Sequence, residues 1–141
     1  MKIVINKCYG GFGLSDKAVE MIMNRKGLNC FRYVQTKYKY SDRVNEFTRC
    51  DETEANNHLC VYYVTKDLGE KTNNLPIEFY WSVYSIDRND ADLIAVVEKL
   101  GEEANGKFSK IKIVEIPDDV NWYIDEYDGI EVIYDENRCW R

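Results

Sequence analysis

The chain has 141 residues, 45% hydrophobic and 31% charged, which predicts one domain, residues 1–141, and excludes a disordered or fibrous chain. The apolar runs Ile3–Ile5 and Leu93–Val97 fall far short of the roughly 20 residues of a membrane span. Met1-Lys2 leads into no secretory apolar stretch, so a cytoplasmic protein is expected. The net charge of −6 hides a split: residues 1–50 hold 10 Lys/Arg against 4 Asp/Glu, and residues 51–141 hold 9 against 21. Such a chain lacks the broad basic face that nonspecific nucleic-acid binding needs, although its basic half suits a small anion.

In chain order, Lys2–Lys7 is β-branched and predicts a strand. The glycine-rich stretch Cys8–Leu14 follows, and Ser15 is placed to cap a helix from Asp16 to Lys26. That helix turns Ala18, Met21 and Ile22 to one face, and Gly27 stops it. Phe31–Tyr40 reads as an irregular strand, and Ser41–His58 as polar loop with room for a short helical turn. Leu59–Thr65 predicts a buried strand. Pro76–Ile86, nearly all β-branched or aromatic, predicts the strongest strand of the chain. Asn89 is the candidate N-cap of a second helix that buries Leu93, Ile94, Val96, Val97 and Leu100 and ends at Gly101. Ile111–Ile116 predicts a strand. Trp122–Glu126 and Ile130–Tyr134, joined through Asp128-Gly129, predict a hairpin. Helices are too few to wind a parallel sheet. The expected fold is α+β: a mainly antiparallel sheet, two helices on one face and a C-terminal hairpin.

Five cysteines with no C-x-x-C pattern suit reduced thiols, and His58-x-Cys60 lacks further ligands at a useful spacing, so neither disulfides nor metal are expected. Three places could meet a phosphate. The first is the strand–loop–helix at 2–26, where Gly10 and Gly11 would let an anion approach backbone N–H groups and Tyr9 or Phe12 would offer a ring to a base. GGFG is neither G-x-G-x-x-G nor a P-loop, and a tight strand-to-helix turn explains the same glycines. The second is Arg88-Asn89 at the start of the second helix, where Arg88→Ala is expected to weaken anion binding without harming the fold. The third is Lys107 and Lys110, which equally suit ordinary strand-edge charge. No serine or cysteine carries a nucleophile motif, and the single histidine, His58, lies in a polar stretch. No catalytic residue is therefore assigned.

MKIVINKCYGGFGLS at the start, RNDADLIAVVEKLGEEANGKF, KIKIVEIPDDV and the EYDGIEVI hairpin resemble a family of small phage and prophage proteins, the phage Thoeris anti-defence proteins of the first type. The resemblance covers about half the chain, at both ends, and leaves 28–75 unplaced. It implies a nonenzymatic sponge that holds a cyclic ADP-ribose-type signal (gcADPR) in the host cell cytoplasm and blocks Thoeris defence. It also implies a homodimer or higher homo-oligomer, with no cofactor, nucleic acid or membrane partner. An aromatic residue, an asparagine and basic side chains would line the pocket. Phe79, Asn89, Arg88, Lys107 and Lys110 lie in regions able to supply them. A nucleotide- or NAD-processing enzyme, and a phage protein acting through a host protein with its acidic end, are the alternatives.

Overall fold

The computed structural model describes residues 1–39 and 44–141. The elements in order are β1 (Lys2–Asn6), α1 (Asp16–Arg25), β2 (Phe31–Lys39), β3 (Val44–Cys50), α2 (Glu52–Ala55), β4 (Tyr62–Val64) and β5 (Lys71–Thr72). There follow β6 (Tyr80–Trp81), α3 (Ala91–Leu100), β7 (Ile111–Glu115), β8 (Tyr123–Tyr127), β9 (Ile130–Tyr134) and β10 (Cys139–Trp140). The fold is α+β and every strand pairing is antiparallel. Among the described residues the strands form three separate sheets rather than one. Residues 1–141, expected as one domain, group into two compact units: Met1–Ile22 with Ile86–Arg141, and Met23–Ser85.

In the first unit β1 pairs with β7, Val4 opposite Ile113. Alternation along β1 sends Ile3 and Ile5 to one face and Val4 to the other. Ile3 and Ile5 pack with Val114, Ile116 and Ile133 in a core edged by Trp122, Ile124 and Trp140. On α3, Leu93, Val96 and Val97 are buried, and the helix lies against β1 and β7. Each fully buried Ile or Leu contributes about 1.5–3 kcal/mol of hydrophobic stabilisation. The hairpin β8–β9 turns through Asp128 (φ 54°) and Gly129 (φ 93°), the two positive φ values of a type I′ turn. Ser15 caps α1 by accepting from the Ala18 N–H at 3.2 Å. The cap of α3 is Asp90, not Asn89: its carboxylate accepts from the N–H groups of Asp92 and Leu93. A carboxylate caps a helix as well as an amide does and favours the positive end of the dipole.

The second unit is a five-stranded sheet in the order β5-β3-β2-β4-β6. β2 is the expected irregular strand, with a bulge between Gln35 and Lys37; Tyr40, its expected last residue, lies outside the described residues. Two readings are corrected here. The stretch expected as loop holds β3, with its positions 41–43 outside the described residues, while α2 stands where a short helical turn was given room. β3 forms because its polar side chains alternate on a sheet with a solvated face, where Thr48 and Glu46 meet Thr36. Pro76–Ile86 is not one strand. Phe79 and Tyr80 donate backbone N–H groups to Pro76 O at 3.0 and 3.1 Å, and Ser82 accepts from Tyr84 N and Ser85 Oγ. These local bonds wind the segment into a turn, the two-residue β6 and a 3₁₀ turn at Val83–Ser85, overriding β-propensity. The strand expected at Leu59–Thr65 shortens to β4, and Leu59 is exposed.

Candidate functional site

β1 ends in a fully buried asparagine, Asn6. Its Nδ2 donates to Cys8 O and to Gly129 O, both at 2.7 Å. Its Oδ1 accepts from Lys110 N at 2.8 Å. One amide thus ties the glycine-rich loop, the hairpin turn and the segment entering β7 to the end of a strand. The Asn6 N–H donates to Glu131 Oε1 at 2.7 Å. Glu131 shares the inner face of β9 with Ile133, so its carboxylate must find partners. It finds two more in Arg88, whose Nη1 and Nη2 donate to Oε1 and Oε2 at 2.8 Å each. The guanidinium also donates to Val4 O at 3.2 Å and lies 3.5 Å from the centre of the Phe12 ring.

The glycines serve two purposes. Gly10 (φ 115°) would place a Cβ 2.5 Å from Phe108 O, and a Cβ on Gly129 would run into the backbone of Gly10 and Gly11. The loop and the hairpin turn therefore interlock through residues without side chains. Gly11 and Gly13, by contrast, have nothing within 4 Å of a Cβ. The loop is stitched further to residues 102–110. Ser109 Oγ donates to Gly13 O and accepts from Gly106 N. Ser15 Oγ donates to Glu103 O, and Leu14 bridges Asn105. On this frame Tyr9 and Phe108 are each 65% exposed, on loops that abut at Gly10. Lys107 and Lys110 flank Phe108 and are exposed.

Of the expected residues, Tyr9, Gly10, Gly11, Lys107 and Lys110 come together on this loop face. Arg88 and Phe12 lie beneath it, buried or half-buried. The expectation that Arg88 can be removed without cost to the fold is corrected: its guanidinium holds the buried Glu131 carboxylate. Asn89 lies at the surface, its amide 3.8 Å from Met1 Sδ. Phe79 belongs to the other unit, where Lys66 Nζ sits 5.0 Å from its ring centre. Asn6, Glu131, Phe108 and Ser109 were missed. Asn6 had a signal, a polar residue closing the apolar run Ile3–Ile5; Glu131, set between Ile130 and Val132, reads as an outward position and had none. His58 is exposed after α2, and Cys60 lies beside Tyr62, whose phenol pKa is raised first by the hydrogen bond with that thiol. Among the described residues, no three His, Cys, Asp or Glu side chains gather as metal ligands, and no helix is long and apolar enough to cross a membrane. No family model, curated protein or solved structure matches the chain.

Proposed function

We propose that this protein captures an anionic, base-bearing small molecule on the open side of its glycine loop and holds it without cleaving it. The observation that carries this reading is the exposure of Tyr9 and Phe108 on abutting loops beside Lys107 and Lys110, over a frame locked by Asn6. Exposed rings offer stacking surface to a base, and the lysines offer charge-assisted hydrogen bonds to phosphate. The places a Cβ would take on Gly11 and Gly13 are open, which leaves room for a ligand beside the loop. Capture needs complementarity to the ground state and no transition-state machinery. With the sequence resemblance, the ligand proposed is a cyclic ADP-ribose-type signal of Thoeris defence. The protein would act in the host cytoplasm as a homodimer or higher oligomer.

Calorimetry with gcADPR tests this directly. The expected result is saturable binding, weakened about tenfold or more by Lys107→Ala with Lys110→Ala, the scale of a lost charge-assisted hydrogen bond. Ligand released by heat should keep its mass and retention time. Absence of binding, or recovery of hydrolysed ligand at catalytic yield, overturns the reading.

A further inference from the structure

The second unit carries a cleft of its own. It measures about 300 Å³ and is lined by Asn45, Phe47, Tyr62, Tyr80 and the segment Asn73 to Leu75. Asn45 and Phe47 stand two apart on β3 and so share one face of the strand. Tyr62 comes from β4 and Tyr80 from β6. Asn73 to Leu75 follow β5, and this return segment is pinned by Thr72, whose Oγ1 donates to Asn74 O at 2.9 Å. The rings of Phe47 and Tyr62 meet edge to face, centroids 5.4 Å apart at 82°. Tyr62 and Tyr80 are tilted at 49°, 6.4 Å apart. Asn45 Oδ1 accepts from Gln35 Nε2 at 2.9 Å, which orients that amide and leaves its N–H₂ group for another acceptor.

The lining has a distinct chemistry. The chain is 31% charged, yet among the described residues no side chain lining this cleft carries a formal charge. Three primary amides supply donors and acceptors together, as the edge of a heterocyclic base requires. Three aromatic rings supply stacking and edge contacts. Burial raises the Tyr80 phenol pKa, and the Cys60 hydrogen bond followed by burial raises that of Tyr62. The volume lies at the small end for ligand sites, about 300–1,000 Å³, which suits one ring system with its sugar and not a dinucleotide. We propose that this cleft binds an uncharged planar heteroaromatic ring of the nucleobase or nucleoside class. It is a second site, independent of the loop face in the other unit.

Saturation-transfer NMR with adenosine, guanosine, cytidine and uridine, each in turn, tests the assignment on the full chain. At least one nucleoside should receive transfer through its base protons. Tyr62→Ala should weaken that binding about tenfold, within the range for one lost stacking contact. Asn74→Ala, at an exposed position, should weaken it severalfold with the fold intact. Tyr127→Ala, outside both sites, should leave it unchanged, whereas transfer lost in Tyr9→Ala with Phe108→Ala but kept in Tyr62→Ala would place the nucleoside on the loop rings and overturn this proposal. Absence of transfer from all four nucleosides overturns the proposal. So does transfer insensitive to Asn74→Ala and Tyr62→Ala, and so does binding of methyl glucoside in place of any nucleoside.

Discussion

Arg88→Ala should destabilise the protein by about 3 kcal/mol or somewhat more. The substitution removes two charge-assisted hydrogen bonds, both 2.8 Å, and the cation over the Phe12 ring. It leaves behind the Glu131 carboxylate, whose side chain is only 7% exposed, with the Asn6 N–H as its remaining partner. Removing one member of a buried ion pair costs about 3–5 kcal/mol, chiefly because the survivor stays buried and uncompensated. Arg88 itself is 20% exposed, so water can enter after truncation, which places the expectation at the low end. Against a total stability of about 5–15 kcal/mol, that is a large share. Urea unfolding followed by circular dichroism reads the change as a lower midpoint at an unaltered slope. A cycle with Glu131→Gln and Arg88→Met should show coupling, the double variant losing less than the two single losses together. An Arg88→Ala midpoint within about 0.5 kcal/mol of the parent, the range of an ordinary surface substitution, would refute the reasoning.

Gly129→Ala should cost about 2–4 kcal/mol, combining a left-handed backbone with overpacking against Gly10 and Gly11. Gly11→Ala, at φ 95° but facing open space, should cost only about 1–2 kcal/mol; thermal melts of the pair separate strain from crowding. Tyr33→Phe should cost about 1 kcal/mol by urea unfolding, since its hydroxyl donates to Gly69 O at 2.7 Å and accepts from Leu68 N at 2.9 Å. The Asp67 carboxyl is held below its ordinary value of 3.8 by the Gly69 N–H and then by Arg49. A depressed folded value gives stability that is present above 3.8 and lost as pH falls through the folded value. The acid limb of a stability–pH curve should therefore flatten in Asp67→Asn, and an unchanged limb would contradict this. Sedimentation velocity should give a mass above one chain at micromolar concentration, and a single-chain mass would remove self-association from the proposed function.

The parts of the fold legible from sequence are those where one local rule dominates. Lys2–Asn6, both long helices and the Asp128-Gly129 hairpin combine periodicity with capping or turn residues that agree with it. Pro76–Ile86 misled because its composition is that of a strand while Pro76 and Ser82 offer the backbone closer partners. The chain there follows the local hydrogen bonds. Val44–Cys50 misled in the opposite direction. It is polar enough to read as loop, and its strand character comes from pairing with β2, a contact between segments that no window on either can show.

The loop-face residues were partly legible for a similar reason. Glycines and exposed cations announce a surface that can approach an anion, but not which of them the fold consumes. Gly10 is consumed by Phe108 and Gly129, and Arg88 by Glu131. Tyr9 and Lys110 are left exposed, and Gly11 and Gly13 keep open space where a Cβ would stand. The structure shows two misfits: an asparagine at the inner end of β1, which the sequence hints at, and a glutamate on the core face of β9, which the alternation of Ile130 and Val132 hides. A buried polar side chain persists only where partners satisfy it. Two such residues in strands of one small unit therefore imply a shared network. In this chain that network, Asn6 with Glu131 and Arg88, fixes the position of the glycine loop. A ligand meeting this face would encounter a surface whose ordering cost has already been met in folding, which is the condition for tight capture by few contacts.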